Sequence, residues 1–328
     1  MKIKKILILD KNHPFIIYKL KKEGFICHEN YFDPIENILS IISLYDGIIF
    51  RSRFSINKKF IQKAINLKFI ARIGSGIEHI DKNYALKKGI KIITTPDDNK
   101  DSVAEHAIGM LLSMMNHIFR SHQEIQKGKW NRKSNLGIEI MGKTIGIIGY
   151  GHTGKAFAQK LSGFKTTIFC YDIIPNKGDI YAKQVDMKTI FLKSDIISLH
   201  VPYTHKTKKM INNNFINNFC KPFYFINTSR GECVFTDHLV NALKNGKIYG
   251  ACLDVLEYEK SSFEDLFFCP KKYKTFFYLI HSNKVILTPH IAGWTKESKY
   301  KMAKKIVKKI INFNKHLLNI YLLVSFFL

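Results

Sequence analysis

Cysteine pairs, arginine, acidic side chains and long apolar runs are all scarce in this 328-residue chain, and each scarcity excludes something. The six cysteines, at 27, 170, 220, 233, 252 and 269, form no C-x-x-C pair and no zinc-ligand spacing. That argues against a metal module and a disulfide framework, and for reduced, buried thiols in a cytoplasmic protein. The apolar C-terminal stretch 316–328 is 13 residues long. A bilayer span needs roughly 20, so the stretch is expected to end a helix that packs on its own domain, and no membrane partner is expected. The N-terminal run Ile6–Leu9 stops at Asp10, too short for a secretory signal. No repeat at solenoid period is present.

Negative charge is short as well: 26 acidic residues face 52 basic ones, for a net charge of +26. A nucleic-acid binder would use such a surplus. Only six of the basic residues are arginine, however, and the 46 lysines are scattered as pairs with no basic arm. Lys, Asn, Ile and Phe share A/T-rich codons, so nucleotide bias accounts for the excess and no nucleic-acid partner is expected. An acidic substrate would still be favoured by this field.

What is present is enough apolar residue, 46%, to fill real cores, at a length that suggests two domains. Apolar runs at Ile6–Leu9, Gly47–Phe50, Phe69–Arg72 and Ile90–Ile93 alternate with amphipathic stretches. A second series follows at Thr144–Ile148, Thr166–Tyr171, Asp195–His200, Phe223–Asn227, Ile248–Asp254 and Val285–Leu287. Such alternation predicts an α/β chain with two doubly wound parallel sheets. Residues 102–126 read as one long helix, and 295–315 as another. The simplest assembly joins 1–100 and 292–328 as one domain and inserts 101–291 as a second.

Gly149-Tyr-Gly-His-Thr-Gly154 follows the β-branched run Thr144–Ile148 and opens a helix predicted at 153–161. Asp172 closes the next apolar run, near the roughly 20-residue spacing of a dinucleotide fingerprint. Gly149 permits the tight turn, Gly151 lets the backbone approach a pyrophosphate, and Gly154 lets the helix pack on the strand. The helix N-terminus offers N–H donors to the phosphates. A carboxylate at Asp172 accepts ribose hydroxyls and repels a 2′-phosphate, which favours NAD over NADP.

Three ionisable residues stand at later element ends: Arg230, Glu259 and His290. Hydride transfer to a 2-keto acid needs a cation for the carboxylate and carbonyl, a proton donor, and a partner that holds the donor charged and oriented. Arg, His and Glu supply these in turn. Each alone has an ordinary alternative, as a turn cap, a loop charge or a loop histidine. Together on one nucleotide domain they point to an active site.

These motifs, with Arg72-Ile-Gly-Ser-Gly-Ile-Glu-His-Ile-Asp81, Ser102-Val-Ala-Glu105, His200-Val-Pro202, Asn227-Thr-Ser-Arg-Gly231, Gly250-Ala-Cys-Leu-Asp-Val255 and Thr288-Pro-His-Ile-Ala-Gly293, span nearly the whole chain. In this order they resemble the D-isomer-specific 2-hydroxyacid dehydrogenases. The resemblance implies a Rossmann NAD-binding domain inserted into a flavodoxin-like substrate domain, working as a homodimer or higher oligomer. It implies that Arg230, Glu259 and His290 are catalytic and that the Gly74, Ser75 and Gly76 amides bind the substrate carboxylate. It implies NAD contacts from Gly149, Gly151, His152, Thr153, Gly154, Asp172, His200, Val201, Pro202, Thr207, Thr228, Asp254 and Gly293.

Within the family the phosphoglycerate dehydrogenase branch is most similar, because Ile49-Phe-Arg-Ser-Arg53 resembles the segment whose arginines hold the substrate phosphate. Arg51 and Arg53, in a chain that otherwise chooses lysine, invite an anion. The alternative is a surface turn after a strand. Gly128-Lys-Trp-Asn-Arg132 resembles the family's dimer-contact loop, which makes Arg132 a second phosphate candidate and Trp130 an interface anchor. Glyoxylate or hydroxypyruvate reductases and erythronate-4-phosphate dehydrogenases remain alternatives, as does an NAD-sensing corepressor-like scaffold. Three departures are visible. Trp294 stands where many members have a small residue. The stretch from Glu259 to His290 is long and rich in phenylalanine (263, 267, 268, 276, 277), which suggests an extra packed element or a lid. Finally, no C-terminal regulatory domain is expected.

Overall fold

The computed structural model describes residues 3–74, 76–259 and 274–326, with side chains through residue 319. The described residues divide into two compact units, 3–99 with 294–326, and 100–259 with 274–293. Both are α/β, and every strand pairing in both is parallel.

Unit 1 is a five-stranded sheet of β1 (Lys5–Ile8), β2 (Ile26–Glu29), β3 (Gly47–Phe50), β4 (Phe69–Arg72) and β5 (Lys91–Thr94), in the order β2-β1-β3-β4-β5. Helices α1 (Phe15–Lys22), α2 (Ile35–Ile41), α3 (Lys58–Lys63) and α4 (Lys82–Lys87) connect the strands, and the C-terminal helix α12 (Lys296–Phe326) joins them. Period-2 alternation sorts the strand residues. Ile6, Ile8, Ile49 and Phe69 pack with Met302, Ile306 and Ile310 of α12. Leu7, Ile48, Phe50 and Ile70 pack on the other side with Ile38, Phe60 and Ala85. A sheet covered on both faces needs continuous apolar strands, and β3 and β4 are buried at every position. Side-chain caps start two of the helices: Asn57 accepts from Phe60 N–H, and Asp81 from Tyr84 N–H, each at 3.0 Å.

Unit 2 is a seven-stranded sheet in the order β12-β11-β10-β9-β6-β7-β8. Its strands are β6 (Thr144–Ile148), β7 (Thr167–Tyr171), β8 (Lys183–Gln184), β9 (Ile196–Leu199), β10 (Phe223–Asn227), β11 (Ile248–Leu253) and β12 (Val285–Leu287). This is the doubly wound order of a dinucleotide-binding sheet with one further strand. Helices α5 (Lys100–Met115) and α7 (His152–Leu161) cover one face around Met110, Leu111, Phe157 and Leu161. Short helices α8 (Met187–Lys193) and α9 (Asn213–Asn217), with α10 (Thr236–Lys244), cover the other around Phe219, Phe223, Leu239 and Leu243.

The structure corrects the single helix expected at 102–126. It is two, α5 and α6 (Ile118–Gln126), parted at His117, whose φ of 51° is left-handed. The physical reason is burial: α5 buries eight residues against its unit, whereas α6 buries none. Within the long stretch before His290, α11 (Lys274–His281) buries Phe276 and exposes Phe277. Phe263, Phe267 and Phe268 lie outside the described residues. The C-terminal stretch continues α12 through Phe326; Leu317 packs against the core of unit 1, and the side chains from residue 320 on lie outside the described residues.

Candidate active site

Six residues of interest in unit 2 stand at the carboxyl ends of strands. Gly149 follows β6, Asp172 follows β7, His200 follows β9, Thr228 follows β10, Asp254 follows β11, and Thr288 precedes His290 after β12. Parallel sheets place ligands at these ends, at the point where strand order reverses, here between β6 and β9.

The glycine loop has the form that a pyrophosphate requires. Gly149 has φ 89°, and a Cβ there would lie 2.6 Å from the His200 carbonyl oxygen. A Cβ on Gly154 would overlap the Gly149 carbonyl, so helix and turn meet only because both are glycine. At Gly151, the N-cap of α7, a Cβ would meet nothing within 4 Å, so that side of the loop is open. Asp172 has two tasks: its Oδ2 accepts from Tyr150 N–H at 2.8 Å and its Oδ1 from Ile174 N–H at 2.9 Å. The carboxylate therefore clamps the glycine loop as it faces an open groove of about 670 Å³ lined by Tyr171, Asp172, Pro175, Gln184 and Asp186. Beyond it, the buried Thr228 hydroxyl has no hydrogen-bond partner among the described residues, a gap that a cofactor group would fill. The Thr207 hydroxyl donates to the Pro202 carbonyl at 2.6 Å and shapes the loop after Val201. The loop geometry, the open groove and the orphaned hydroxyl all fit a dinucleotide.

The His200 side chain is packed inward. Its imidazole is buried beside Phe157, with Nε2 2.8 Å from the Ser198 hydroxyl, and burial pulls its pKa down to about 4. The side chain is a neutral packing element, and the residue meets the loop through its main chain. Asp254 is also tied inward. Its carboxylate accepts from Thr288 Oγ1 (2.5 Å), Ile291 N–H (2.9 Å) and Ala292 N–H (2.9 Å), and its carbonyl accepts from His290 N–H (2.8 Å). His106 of α5 braces this network, with Nε2 2.9 Å from Thr288 Oγ1.

That network aims the histidine. His290 holds a left-handed φ of 54°, and its Nδ1 lies 2.6 Å from Glu259 Oε2. The other Glu259 oxygen accepts from Leu256 N–H at 2.6 Å. Both carboxylate oxygens are therefore fixed, and Nδ1 is the donor to Glu259. Arg230 sits in the turn after β10, where its carbonyl accepts from Asn227 Nδ2 at 3.0 Å and its Nη1 donates to the Ser229 carbonyl at 2.8 Å. A Cβ on Gly231 would overlap the Leu256 main chain, so the arginine turn lies hard against the segment that carries Glu259. Arginine, glutamate and histidine thus issue from the ends of three neighbouring strands, β10, β11 and β12.

In unit 1 the strand order reverses between β1 and β3, where Asp10 and Arg51 emerge. Arg51 N–H donates to Asp10 Oδ2. Burial lowers the Arg51 pKa to about 10, with Asp10 and Arg72 acting in opposite directions, and the group stays charged at neutral pH. The side chains of Arg51 and Arg53 meet different neighbours. The Arg53 guanidinium donates to the carbonyls of Leu9 (3.1 Å), Asn30 (2.7 Å) and Asp33, which makes it a clasp for the loops at the strand ends. Arg72 takes its place beside Arg51. It is a buried cation at the end of β4 whose Nε donates to the Arg51 carbonyl at 3.1 Å. The sequence signal was there, since a guanidinium ending an apolar strand needs a reason. Arg72 also borders the glycine loop, because a Cβ on Gly74 would lie 2.8 Å from Arg72 Nη1. Gly74 N–H donates to Thr95 Oγ1 at 3.0 Å, so it is already engaged. Ser75 lies outside the described residues. Arg132 is exposed, beside Trp130 and Asn135 in a second cavity of about 290 Å³ in unit 2.

The description "D-isomer specific 2-hydroxyacid dehydrogenase, NAD binding domain" matches residues 108–292. The chain belongs to this family. Its cofactor is NAD, and it is an enzyme of the family. It is 35% identical to hydroxypyruvate reductase of Thermotoga maritima, over 84% of this chain and 87% of that one. It is 32% identical to D-3-phosphoglycerate dehydrogenase of Archaeoglobus fulgidus, over 95% of this chain and 58% of that longer one. Among solved structures, D-lactate dehydrogenase of Aquifex aeolicus, complexed with NAD and lactic acid, superposes with a TM-score of 0.85. That pair is 29% identical over 96% of this chain and 97% of that one.

Proposed function

We propose that this dehydrogenase acts on a phosphorylated D-2-hydroxy acid, 3-phosphoglycerate in oxidation and 3-phosphohydroxypyruvate in reduction. The observation that carries the substrate is the pair of arginines, half-buried Arg51 and buried Arg72, at the ends of β3 and β4 in unit 1. Two guanidiniums gathered near Gly74 suit a substrate that carries a second anionic group.

NAD, when bound, accepts or supplies the hydride at C2. The protein residues do the rest. Arg230 pairs with the substrate carboxylate and polarises the carbonyl. His290 Nε2 delivers the proton to the new alkoxide in reduction and removes it in oxidation. Glu259 holds the ring in the required orientation through Nδ1. Gly149, Gly151, Gly154 and the α7 N-terminus carry the pyrophosphate, and Asp172 the adenine ribose. The Gly76 amide and its neighbours receive the substrate carboxylate. The exposed apolar side chains of α6 and the following segment, with Trp130 at their centre, pair two copies of the chain.

A second reading, hydroxypyruvate or glyoxylate reduction, is favoured by the similarity to the Thermotoga enzyme. NADH oxidation measured side by side with phosphohydroxypyruvate, hydroxypyruvate and glyoxylate separates the two. The expected result is a kcat/KM at least tenfold higher for the phosphorylated acid, and equal or reversed values overturn the substrate assignment. His290→Ala is expected to lower kcat by about 10²- to 10⁴-fold and leave NADH affinity intact. Wild-type turnover in that variant removes His290 from its role.

A further inference from the structure

One cluster in unit 1 is not explained by the catalytic roles above. The Arg51 guanidinium carbon lies 3.5 Å from the ring centroid of Trp294, and the Lys299 ammonium lies 3.6 Å from it. Both distances are contact distances along the ring normal. Two groups so centred on one face would occupy the same space, so they lie on opposite faces, about 7 Å apart. The indole is 45% exposed, so the stack stands at a surface rather than in a core.

The stack gathers like charge. Burial lowers the pKa of both Arg51 and Lys299, with a smaller push from Arg72 on Arg51 and from Arg51 on Lys299. Asp10 is the carboxylate that offsets Arg51. Arg51 and Lys299 thus bring two cations to one indole, a setting suited to an anion such as a phosphate monoester. Lys299 lies in the first turn of α12, whose N-terminus adds partial positive charge. That turn is fixed by reciprocal bonds: Thr295 N–H donates to Ser298 Oγ at 3.2 Å, and Ser298 N–H to Thr295 Oγ1 at 3.1 Å. The lysine therefore projects from a rigid base.

We propose that Lys299 is a substrate-binding residue for the distal phosphoryl group, acting with Arg51, and that Trp294 is a positioning residue that spaces the two cations. A phosphoryl group at the indole edge reaches both, since its oxygens bridge a gap of this size through two charge-assisted hydrogen bonds. The inference rests on the phosphorylated substrate proposed above.

The test uses Lys299→Met, which keeps the aliphatic stem, with KM and kcat measured for phosphohydroxypyruvate and hydroxypyruvate. It adds competitive inhibition of hydroxypyruvate reduction by inorganic phosphate. The expected result is a KM for the phosphorylated acid raised about tenfold more than that for hydroxypyruvate, with kcat little changed and phosphate inhibition weakened. Trp294→Leu reproduces the KM effect, and Trp294→Phe, which keeps a π-face, restores most of it. If the wild type prefers the phosphorylated acid and Lys299→Met leaves that preference intact, the inference falls and the substrate proposal stands. If the wild type shows no preference but Lys299→Met relieves phosphate inhibition, the anion site stands and the substrate proposal falls. No preference, together with phosphate inhibition that is absent or unaltered in the variant, overturns both.

Discussion

A histidine buried beside a phenylalanine must stay neutral, and that has a cost in acid. His200 has a folded pKa of about 4, against an ordinary value near 6.5. Between those values the unfolded chain binds a proton that the folded chain refuses, so stability falls as pH drops through this window and is unaffected above it. The loss approaches about 3 kcal/mol once pH passes below 4. His200→Gln, which keeps a hydrogen-bonding group for the Ser198 hydroxyl, is expected to flatten urea-unfolding stability between pH 7 and pH 5, and an unchanged slope would assign the acid sensitivity elsewhere. The His200-Val-Pro202 motif pointed to this residue in the sequence, but not to which of its atoms faces the ligand. The same limit applies to Arg51 and Arg53. Two arginines flank one serine, and only tertiary placement sends one to main-chain carbonyls and the other to Trp294.

Strands and their ends carry the next level of the design. The glycine fingerprint and Asp172 could be read directly, because turn, strand and helix there follow from local sequence. The Arg230, Glu259 and His290 positions were legible as polar residues closing apolar strands. Less legible was the bracing behind them. Thr288, His106 and Asp254 meet across sequence separations that periodicity does not report. The break at His117 was equally hidden, since α6 keeps an amphipathic pattern and buries nothing. Gly231 offers a test at this scale. Gly231→Ala forces the β10 turn off the Leu256 main chain, a steric conflict worth about 1–3 kcal/mol. A lower thermal midpoint is expected, with kcat reduced at least tenfold and NADH affinity retained. A fully active variant would mean that the turn and the Glu259 segment adjust independently.

At the scale of the whole molecule, the stretch 118–141 of unit 2 exposes several large apolar side chains. Ile118, Phe119 and Ile125 of α6 are more than half exposed, as is Met141, while Trp130 reaches 79% and Leu136 81%. Patches of this kind mark association sites. Trp130→Glu is therefore expected to shift the protein toward monomer in sedimentation or light scattering, and an unchanged mass would exclude this face. The two-sheet architecture itself was legible from the double series of apolar runs, because parallel strands buried on both faces leave no other pattern. It has one more consequence. The residues proposed to move the proton and carry the nucleotide belong to one compact unit, and the stack around Trp294, proposed to hold the phosphoryl group, belongs to the other. Choice of acid and chemistry of the acid are thus separate inheritances. A lineage could retune Lys299 or Trp294 toward a new tail on the molecule it consumes, and the redox machinery would pass on unaltered.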